Sequence, residues 1–274
     1  MTSTRAGVSF VVPVLNGART LRPALASMAA QPDGQPFEII AIDDGSTDGS
    51  LRILQKLERE GAVKLLHGPR HGAAAAINAG IRDALHPIIC QVDQDVILRE
   101  GWLGELLQAF SDPEVAAAQG HYTTHRDAGF WARATGRDLE HRYSRIHGPF
   151  IDHACTGNTA YLARALHQVG LLDERMGYGY DNDLSYRLHR SGYKLAFCRN
   201  AVSVHCWRDG FGGYFRQQFG VGYGRLDVVA RHPHRIAGDD VSGTTMMLHA
   251  PAMTMALVWK TKELIFTSVF NAEH

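Results

Sequence analysis

The sequence has few cysteines and no excess of charge of either sign. Its 274 residues include four cysteines (Cys90, Cys155, Cys198 and Cys206), which are scattered and form no CxxC pair. This usage is typical of reduced thiols in a cytosolic protein. Lysine plus arginine equals aspartate plus glutamate at 28 each. No overall field would therefore attract a nucleic acid, and we expect none as a partner.

Long apolar runs are also missing. No stretch of about twenty uninterrupted apolar residues, the length that a membrane-spanning helix needs, occurs in the sequence. The N-terminus lacks the apolar core of a signal peptide, so we expect a cytoplasmic protein. Residues 246–270 come closest to an apolar run, but Pro251, Lys260 and Lys262 interrupt them. We expect this stretch to be amphipathic and to lie either at the inner face of the membrane, as a peripheral contact, or on the protein's own core.

Apolar runs that suit buried strands alternate with segments of helical periodicity. The predicted strands are residues 8–14, 37–42, 63–67, 87–92, 115–119, 194–197 and 201–204. The predicted helices are residues 20–30, 72–84, 102–110, 162–169 and 181–190, with one more that follows Ser46-Thr47-Asp48 and ends near residue 60. This order predicts an α/β fold, a doubly wound and mostly parallel (mixed) sheet with helices on both faces.

The chain has no repeats or low-complexity linkers, and its length suits one substantial domain. We expect a catalytic domain over residues 1–235, with a nucleotide-binding half at about 1–120 and an acceptor half at about 121–235. Residues 121–150, rich in aromatic and basic side chains, are expected to form a helix and a loop that line a cleft. Residues 236–274 would form a C-terminal helical extension.

Two acidic clusters each follow an apolar run. Asp43 and Asp44 follow the second predicted strand, and Asp93 and Asp95 follow the fourth. Open α/β sheets bind ligands in a crevice at the carboxyl ends of their strands. Two carboxylates separated by one residue can hold a divalent cation that also binds phosphate oxygens. The pattern therefore predicts an enzyme that handles a nucleoside diphosphate.

Five short motifs occur along the chain in a characteristic order. They are Pro13-Val-Leu-Asn16, Asp43-Asp-Gly-Ser-Thr-Asp48, Asp93-Gln-Asp95, Gly157-Asn158 and Asp181-Asn-Asp183-Leu. With them, residues 8–205 resemble the family 2 glycosyltransferases of GT-A fold. The resemblance implies an inverting transferase that moves a sugar from a nucleotide diphosphate sugar, with a slight preference for a UDP-sugar. The implied acceptor is a hydroxyl of a saccharide or of a lipid-linked or cell-surface polysaccharide precursor.

On the donor side, the resemblance implies a nucleotide site and a metal site. The implied nucleotide-binding residues are Pro13, Leu15, Asn16, Asp43, Asp44, Asp48, Arg70, Asn78 and Asp93. Asp93, Asp95 and His205 would hold Mn²⁺ or Mg²⁺. One departure from the family pattern is Ile77, which stands where many relatives have an arginine. Arg70 is the expected substitute for that cation.

On the acceptor side, Asp181 matches the catalytic aspartate of the family. As general base it would take the proton from the acceptor hydroxyl. Gly157, Asn158, Tyr180 and Asp183 would contact the acceptor, and Tyr180 occupies the position of the family's usual glutamate. Aspartates also stabilise the first turn of a helix, so a purely structural role for Asp181 or Asp183 is the alternative.

Two other functions are compatible with parts of the pattern. A non-catalytic scaffold of the same fold would explain Tyr180 and Ile77, although the acidic pair and Asp181 argue against it. A sugar-phosphate nucleotidyltransferase would carry a glycine-rich basic loop after the first strand, where residues 13–17 read Pro-Val-Leu-Asn-Gly. Further along, Arg216 and Arg225 either hold a phosphate or are solvated charges on a helix.

Overall fold

A computed structural model describes residues 6–241. Its strands are β1 (Val8–Val14), β2 (Phe37–Asp43), β3 (Lys64–His67), β4 (Ile88–Val92), β5 (Val96–Leu98), β6 (Val115–Thr124), β7 (Phe150–Ile151), β8 (Asn158–Leu162) and β9 (Lys194–His205). Its helices are α1 (Leu21–Ala29), α2 (Ser50–Arg59), α3 (Ala73–Asp83), α4 (Trp102–Ala109), α5 (Phe130–Ser144), α6 (Ala163–Val169), α7 (Tyr180–Arg190) and α8 (Phe211–Arg231), followed by a 3₁₀ turn at Pro233–Arg235.

The strands form one mixed sheet in the order β3-β2-β1-β4-β8-β6-β9-β5, and β7 pairs with β9. Strands β1 to β4 are mutually parallel, whereas β8 runs antiparallel to both of its neighbours, β4 and β6. Helices cover both sides of the sheet. The predicted α/β class, with a mostly parallel but mixed sheet, is confirmed.

The first half of the sheet follows from its buried apolar runs. Every residue of β4 is buried, as are six of the seven residues of β1, which is expected of central strands covered on both faces. Helix α3 lies unusually close to this part of the sheet. A Cβ on Gly80 would lie 2.6 Å from Cγ1 of Val11 and 2.7 Å from Cδ1 of Ile42, so the absence of a side chain permits the contact.

The second half differs more from the prediction. Residues 194–205 form the single strand β9 instead of two short strands, and β6 continues to Thr124 instead of ending at Gln119. Strands β6 and β9 pair in parallel as far as Thr124, which lies opposite His205. Their register shifts between Gly120 and His121. Strands β5, β7 and β8 were not predicted, and helix α8 was considered only as one alternative for Arg216 and Arg225. The glycines of α8 lower its helix propensity and conceal it in the sequence.

Residues 236–241 turn back onto the domain, and Val241 is buried. The amphipathic stretch predicted for residues 246–270 lies outside the described residues. The four cysteines carry free thiols, as predicted. Among residues 6–241, none of the helices combines the length and apolar character needed to cross a membrane.

A buried hydrogen bond joins α4 to β8 and provides a test of the core. Trp102 Nε1 donates to Oδ1 of Asn158 at 2.6 Å, and both residues are fully buried. Trp102→Phe leaves that oxygen unpaired and creates a small gap, so we expect the free energy of unfolding to fall by about 2–4 kcal/mol. Urea denaturation measures it. Trp131→Phe, at a partly exposed ring, is the control, and an equal loss in the two variants would contradict the assignment.

Candidate functional site

The loops that follow β1, β2 and β4 meet at the carboxyl edge of the sheet. Gln94 joins two of them, because its Oε1 accepts from Leu15 N and its Nε2 donates to Leu15 O, each at 3.0 Å. The side chain of Leu15 is half exposed beside this contact. Pro13 lies two residues earlier, on β1 beside Ile42. The predicted nucleotide loop and the acidic pair at Asp93 and Asp95 are therefore neighbours, and Gln94 is a site residue that sequence reasoning missed.

The backbone stabilises the adjacent carboxylates Asp43 and Asp44. Asp43 Oδ2 accepts from the N–H groups of Gly45 and Ser46, and Asp44 accepts from those of Arg70 and Gly72 at 2.7 and 3.1 Å. Their mutual repulsion is thus offset by protein dipoles and does not by itself require a ligand. Asp43 Oδ1 is buried without a hydrogen-bond partner within the described part of the chain.

Asn16 and Asp48 organise the same loop region. Asn16 adopts a left-handed backbone (φ 53°), and its Oδ1 accepts from Thr47 N at 2.8 Å. Asp48 accepts from Ser50 N and Ser50 Oγ through Oδ1, and from Ala18 N through Oδ2. The hydrogen bond from Ser50 Oγ, together with these backbone donors, lowers the pKa of Asp48, although some loss of hydration opposes the shift. Both side chains tie the end of β1 to the start of α2.

Arg70 lies beside the same loop. It also has a left-handed backbone (φ 59°), which is uncommon outside glycine. Its side chain packs over Gly45, where an added Cβ would lie 3.2 Å from Arg70 Nε. The guanidinium is therefore next to the loop that carries Asp43 and Asp44.

Asn78 differs from its expected nucleotide contact. It is 1% exposed, and its side-chain amide exchanges hydrogen bonds with the backbone of Leu172, donating to O at 2.8 Å and accepting from N at 3.0 Å. Its Nδ2 also donates to Glu174 at 2.8 Å. These bonds use the amide to join α3 to the loop before α7. We therefore assign Asn78 a structural role.

Asp93, Asp95 and His205 come together as predicted, with one possible ligand atom from each within 4.8 Å of the others. Nε2 of His205 lies 3.8 Å from Oδ1 of Asp95, and its ring stacks on Trp207 with centroids 3.7 Å apart. Burial in the cavity raises the pKa of both carboxyls, and the charge of Asp95 adds to the effect on Asp93. Burial lowers the pKa of His205 to about 4, so its imidazole is neutral at neutral pH.

This group fits a divalent cation. Two carboxylates and a neutral imidazole are a suitable ligand set for Mn²⁺, and the carboxylates suit Mg²⁺. A cation would also relieve the repulsion between the two carboxylates. Nδ1 of His205 is buried and has no hydrogen-bond partner among residues 6–241. One buried polar atom of the three side chains is therefore left without a partner in this part of the chain.

Gly157 lies against the acidic pair. Its φ of +94° favours glycine, and a Cβ there would collide with Oδ2 of Asp93. The buried Gln91 accepts from Gly157 N and donates to Oδ1 of Asp93 at 3.0 Å. Gly157 and Gln91 therefore fix the position of Asp93. Asn158 does not face an acceptor as expected, because it is fully buried and bonded to Trp102.

Asp181 lies in the first turn of α7 and lines the same cavity as the acidic pair. The helix begins after Gly179, and Tyr180 lines the cavity beside Asp181. Asp183 differs from its predicted acceptor contact. Its buried carboxylate pairs with Arg187 at 2.8 Å and with His232 at 2.8 Å, so it fastens α7 to the end of α8.

The cavity has a volume of about 500 Å³, which is in the range of small-molecule sites. Its walls come from the acidic pair, the start of α7, helix α5 and one face of α8. Residues 121–150, which were predicted to line a cleft, contribute Tyr122, Thr135, Leu139 and Arg142 to this cavity.

The cavity residues that the sequence did not predict include His153, Cys155 and Trp207. His153 precedes Gly157 in a loop without a recognisable motif, and one of fifteen histidines gives no signal by type alone. Arg225, for which a phosphate contact and a solvated position were both open, is buried, pairs with Asp239 at 3.0 Å and lines the cavity, so it is not a solvated charge.

The sequence matches the family described as "Glycosyl transferase family 2" over residues 9–170. It is 28% identical to the pre-mycofactocin glycosyltransferase of Mycobacterium tuberculosis, over 88% of this chain and 51% of that protein. It is 26% identical to glycosyltransferase AglE of Haloferax volcanii, over 83% and 76%, and to succinoglycan biosynthesis protein ExoA of Rhizobium meliloti, over 81% and 70%. The chain thus spans about half the length of the Mycobacterium relative.

Solved structures with similar folds include the mannosyltransferase PcManGT from Pyrobaculum calidifontis in complex with GDP-Man and Mn²⁺. The TM-score is 0.68 at 17% identity, covering 99% of this chain and 82% of that one. GalNAc-T7 with UDP, GalNAc and Mn²⁺ gives a TM-score of 0.64 at 17% identity, covering 82% and 48%. These likenesses confirm the predicted GT-A fold.

The structural role of Asn78 can be tested directly. Asn78→Ala leaves the backbone N–H and C=O of Leu172 unpaired in the interior, so we expect the free energy of unfolding to fall by about 2–4 kcal/mol. Affinity of the folded variant for nucleoside diphosphates should stay within about twofold of the parent. Denaturation and calorimetry measure the two quantities, with the exposed Asn200→Ala as control. A tenfold loss of nucleotide affinity in folded protein would restore the original assignment.

Proposed function

The chain belongs to glycosyl transferase family 2, and on that premise we propose that it transfers a sugar from a nucleotide diphosphate sugar to a hydroxyl group of a saccharide or lipid-linked acceptor. The observation that carries the proposal is one cavity lined by Asp93, Asp95 and His205 on one side and by Asp181 on another. A cation and diphosphate site and a base are the two parts that such a transfer needs.

The donor half of the proposal rests on the carboxyl edge of the sheet. The loop around Asp43 and Asp44 would hold the nucleoside, and Arg70 beside it supplies a cation for the diphosphate. The solved relatives were observed with GDP-Man, with UDP and with UDP-GlcNAc. Both guanosine and uridine donors therefore belong in a screen, and we place UDP-sugars first.

Asp93, Asp95 and His205 would hold the cation, with Mn²⁺ and Mg²⁺ as the candidates. When bound, it would neutralise negative charge that develops on the leaving diphosphate. Gln91 and Gly157 fix the position of Asp93, and Trp207 supports the His205 ring. These contacts would hold the ligand atoms in place before the donor binds.

Asp181 would act as general base at the acceptor. The acceptor oxygen forms a bond to the anomeric carbon while the bond from that carbon to the diphosphate oxygen breaks. The hydroxyl proton passes to Asp181, and the diphosphate departs with the bonding electrons. Attack from the face opposite the diphosphate would invert the configuration. Tyr180 would border the acceptor in the position where the family usually has glutamate.

Removal of one metal ligand tests the donor site. Asp95→Ala should weaken Mn²⁺-dependent binding of UDP or GDP by at least tenfold, because one carboxylate of the ligand set is lost. Calorimetry with UDP, GDP and dTDP, with and without Mn²⁺, measures this. Asp112→Ala, at a partly exposed aspartate just before β6 that pairs with Lys194, is the control. Absence of metal-dependent binding of any nucleotide by the parent protein would refute the proposal and favour a non-catalytic scaffold.

Replacement of the base separates binding from chemistry. Asp181→Asn should retain metal-dependent nucleotide binding but lose about 10²–10⁴-fold in turnover, since an amide cannot take up the proton. The probe is nucleotide release from a bound nucleotide sugar, with water as acceptor. Asp112→Asn serves as the matched control. Turnover by Asp181→Asn within threefold of the parent would exclude the role.

A further inference from the structure

A buried histidine lies between Asp181 and a second carboxylate. Nε2 of His153 is 3.5 Å from Oδ2 of Asp181, and its Nδ1 is 3.6 Å from Oδ1 of Asp239. The His153 side chain is 5% exposed, and that of Asp239 is fully buried. The ring thus has one carboxylate at each nitrogen, and only Asp181 of the two lines the cavity.

Asp239 is firmly held. Its Oδ2 accepts from Tyr186 Oη at 2.8 Å, from Asn182 Nδ2 at 3.0 Å and from Arg225 Nη1 at 3.0 Å. Two of these donors lie on α7, the helix that carries Asp181, and the third lies on α8. Asp239 is therefore a fixed anchor with little freedom to move relative to α7.

The segment that carries Asp239 is fastened on both sides. We call residues 232–241 the strap. His232 pairs with Asp183 at 2.8 Å, and Arg235 forms a short ion pair with Asp152, which also accepts from Asp240 N at 2.9 Å. Asp152 immediately precedes His153. The strap therefore fixes both Asp239 and the loop that presents His153.

The arrangement favours the charged form of the imidazole. A neutral imidazole has one N–H and one lone pair, so it would direct that lone pair at one of the two carboxylates. An imidazolium donates from both nitrogens and is attracted to both. Burial lowers the pKa of His153, but Cys155, Asp239 and Asp181 raise it well above its usual value.

We propose that His153 is a positioning residue that, as an imidazolium anchored by Asp239, orients the Asp181 carboxylate for proton uptake. This inference rests on the proposed function, which makes Asp181 the base. The imidazolium borders the same cavity and lies 3.5 Å from Oδ2 of Asp181, so charge attraction holds that carboxylate in one orientation.

His153→Gln tests the role through kinetics. Nucleotide release from a nucleotide sugar should fall at least tenfold in kcat, with KM for the donor and Mn²⁺-dependent nucleotide affinity within twofold of the parent. His189→Gln, exposed at the other end of α7, should change none of these. An unchanged kcat, or a loss of nucleotide affinity as large as the loss of kcat, would overturn the proposal.

A spectroscopic readout keeps this test independent of turnover. In ¹⁵N-labelled protein the His153 ring, assigned by its absence from His153→Gln, should remain doubly protonated at pH 8. In Asp239→Asn it should lose a proton at lower pH than in the parent. A neutral His153 ring at pH 7 in the parent overturns this inference even if transfer is intact. If the parent shows a charged His153 ring but binds no nucleotide in a metal-dependent way, the result rejects the proposed function and not the charge inferred for His153.

Discussion

Negative charge gathered at one edge of the sheet is the constraint on which the rest of the structure depends. Buried carboxylates are costly unless they are paired or hydrogen-bonded, and each group here is compensated differently. Backbone N–H groups hold Asp43 and Asp44. Asp93 and Asp95 keep a geometry that suits a cation, and Asp181 faces the His153 ring. The kind of compensation separates carboxylates that shape loops from those available for chemistry.

The first half of the sheet, which we propose holds the donor, was largely predictable because its signals are local. The run Val8–Val14 is apolar and buried, so the bounds of β1 follow from the sequence. Asp93 and Asp95 follow the end of β4 and therefore lie at the crevice. The roles of Asn78 and Asn158 were not predictable. Their partners lie 94 and 56 residues away, and an asparagine in a motif looks the same whether its amide faces a ligand or the core.

The structure of residues 121–241 was predicted less well because long-range packing overrides local propensity there. Gly220 and Gly224 weaken the helical signal of α8, yet both are needed where Tyr178 crosses the helix: a Cβ on Gly224 would collide with the Tyr178 side chain. Strand β9 continues through Arg199 and Asn200 because β6 pairs with it beyond the shift at Gly120. The apolar pattern alone divides this strand into two.

The strap connects the cavity to residues far along the chain. The family match ends at residue 170, and both Arg225 and Asp239 lie beyond it. Even so, Asp239 lies beside the His153 ring, which contacts Asp181, and Arg225 pairs with Asp239. The predicted boundary at residue 235 would divide this network, since Asp239 bonds to α7 and α8. Residues 236–241 therefore pack against the wall of the cavity, and Val241 lines it. Because function depends on sites grafted onto a shared fold, we expect the proposed acceptor side to depend on these residues as well as on the family motifs.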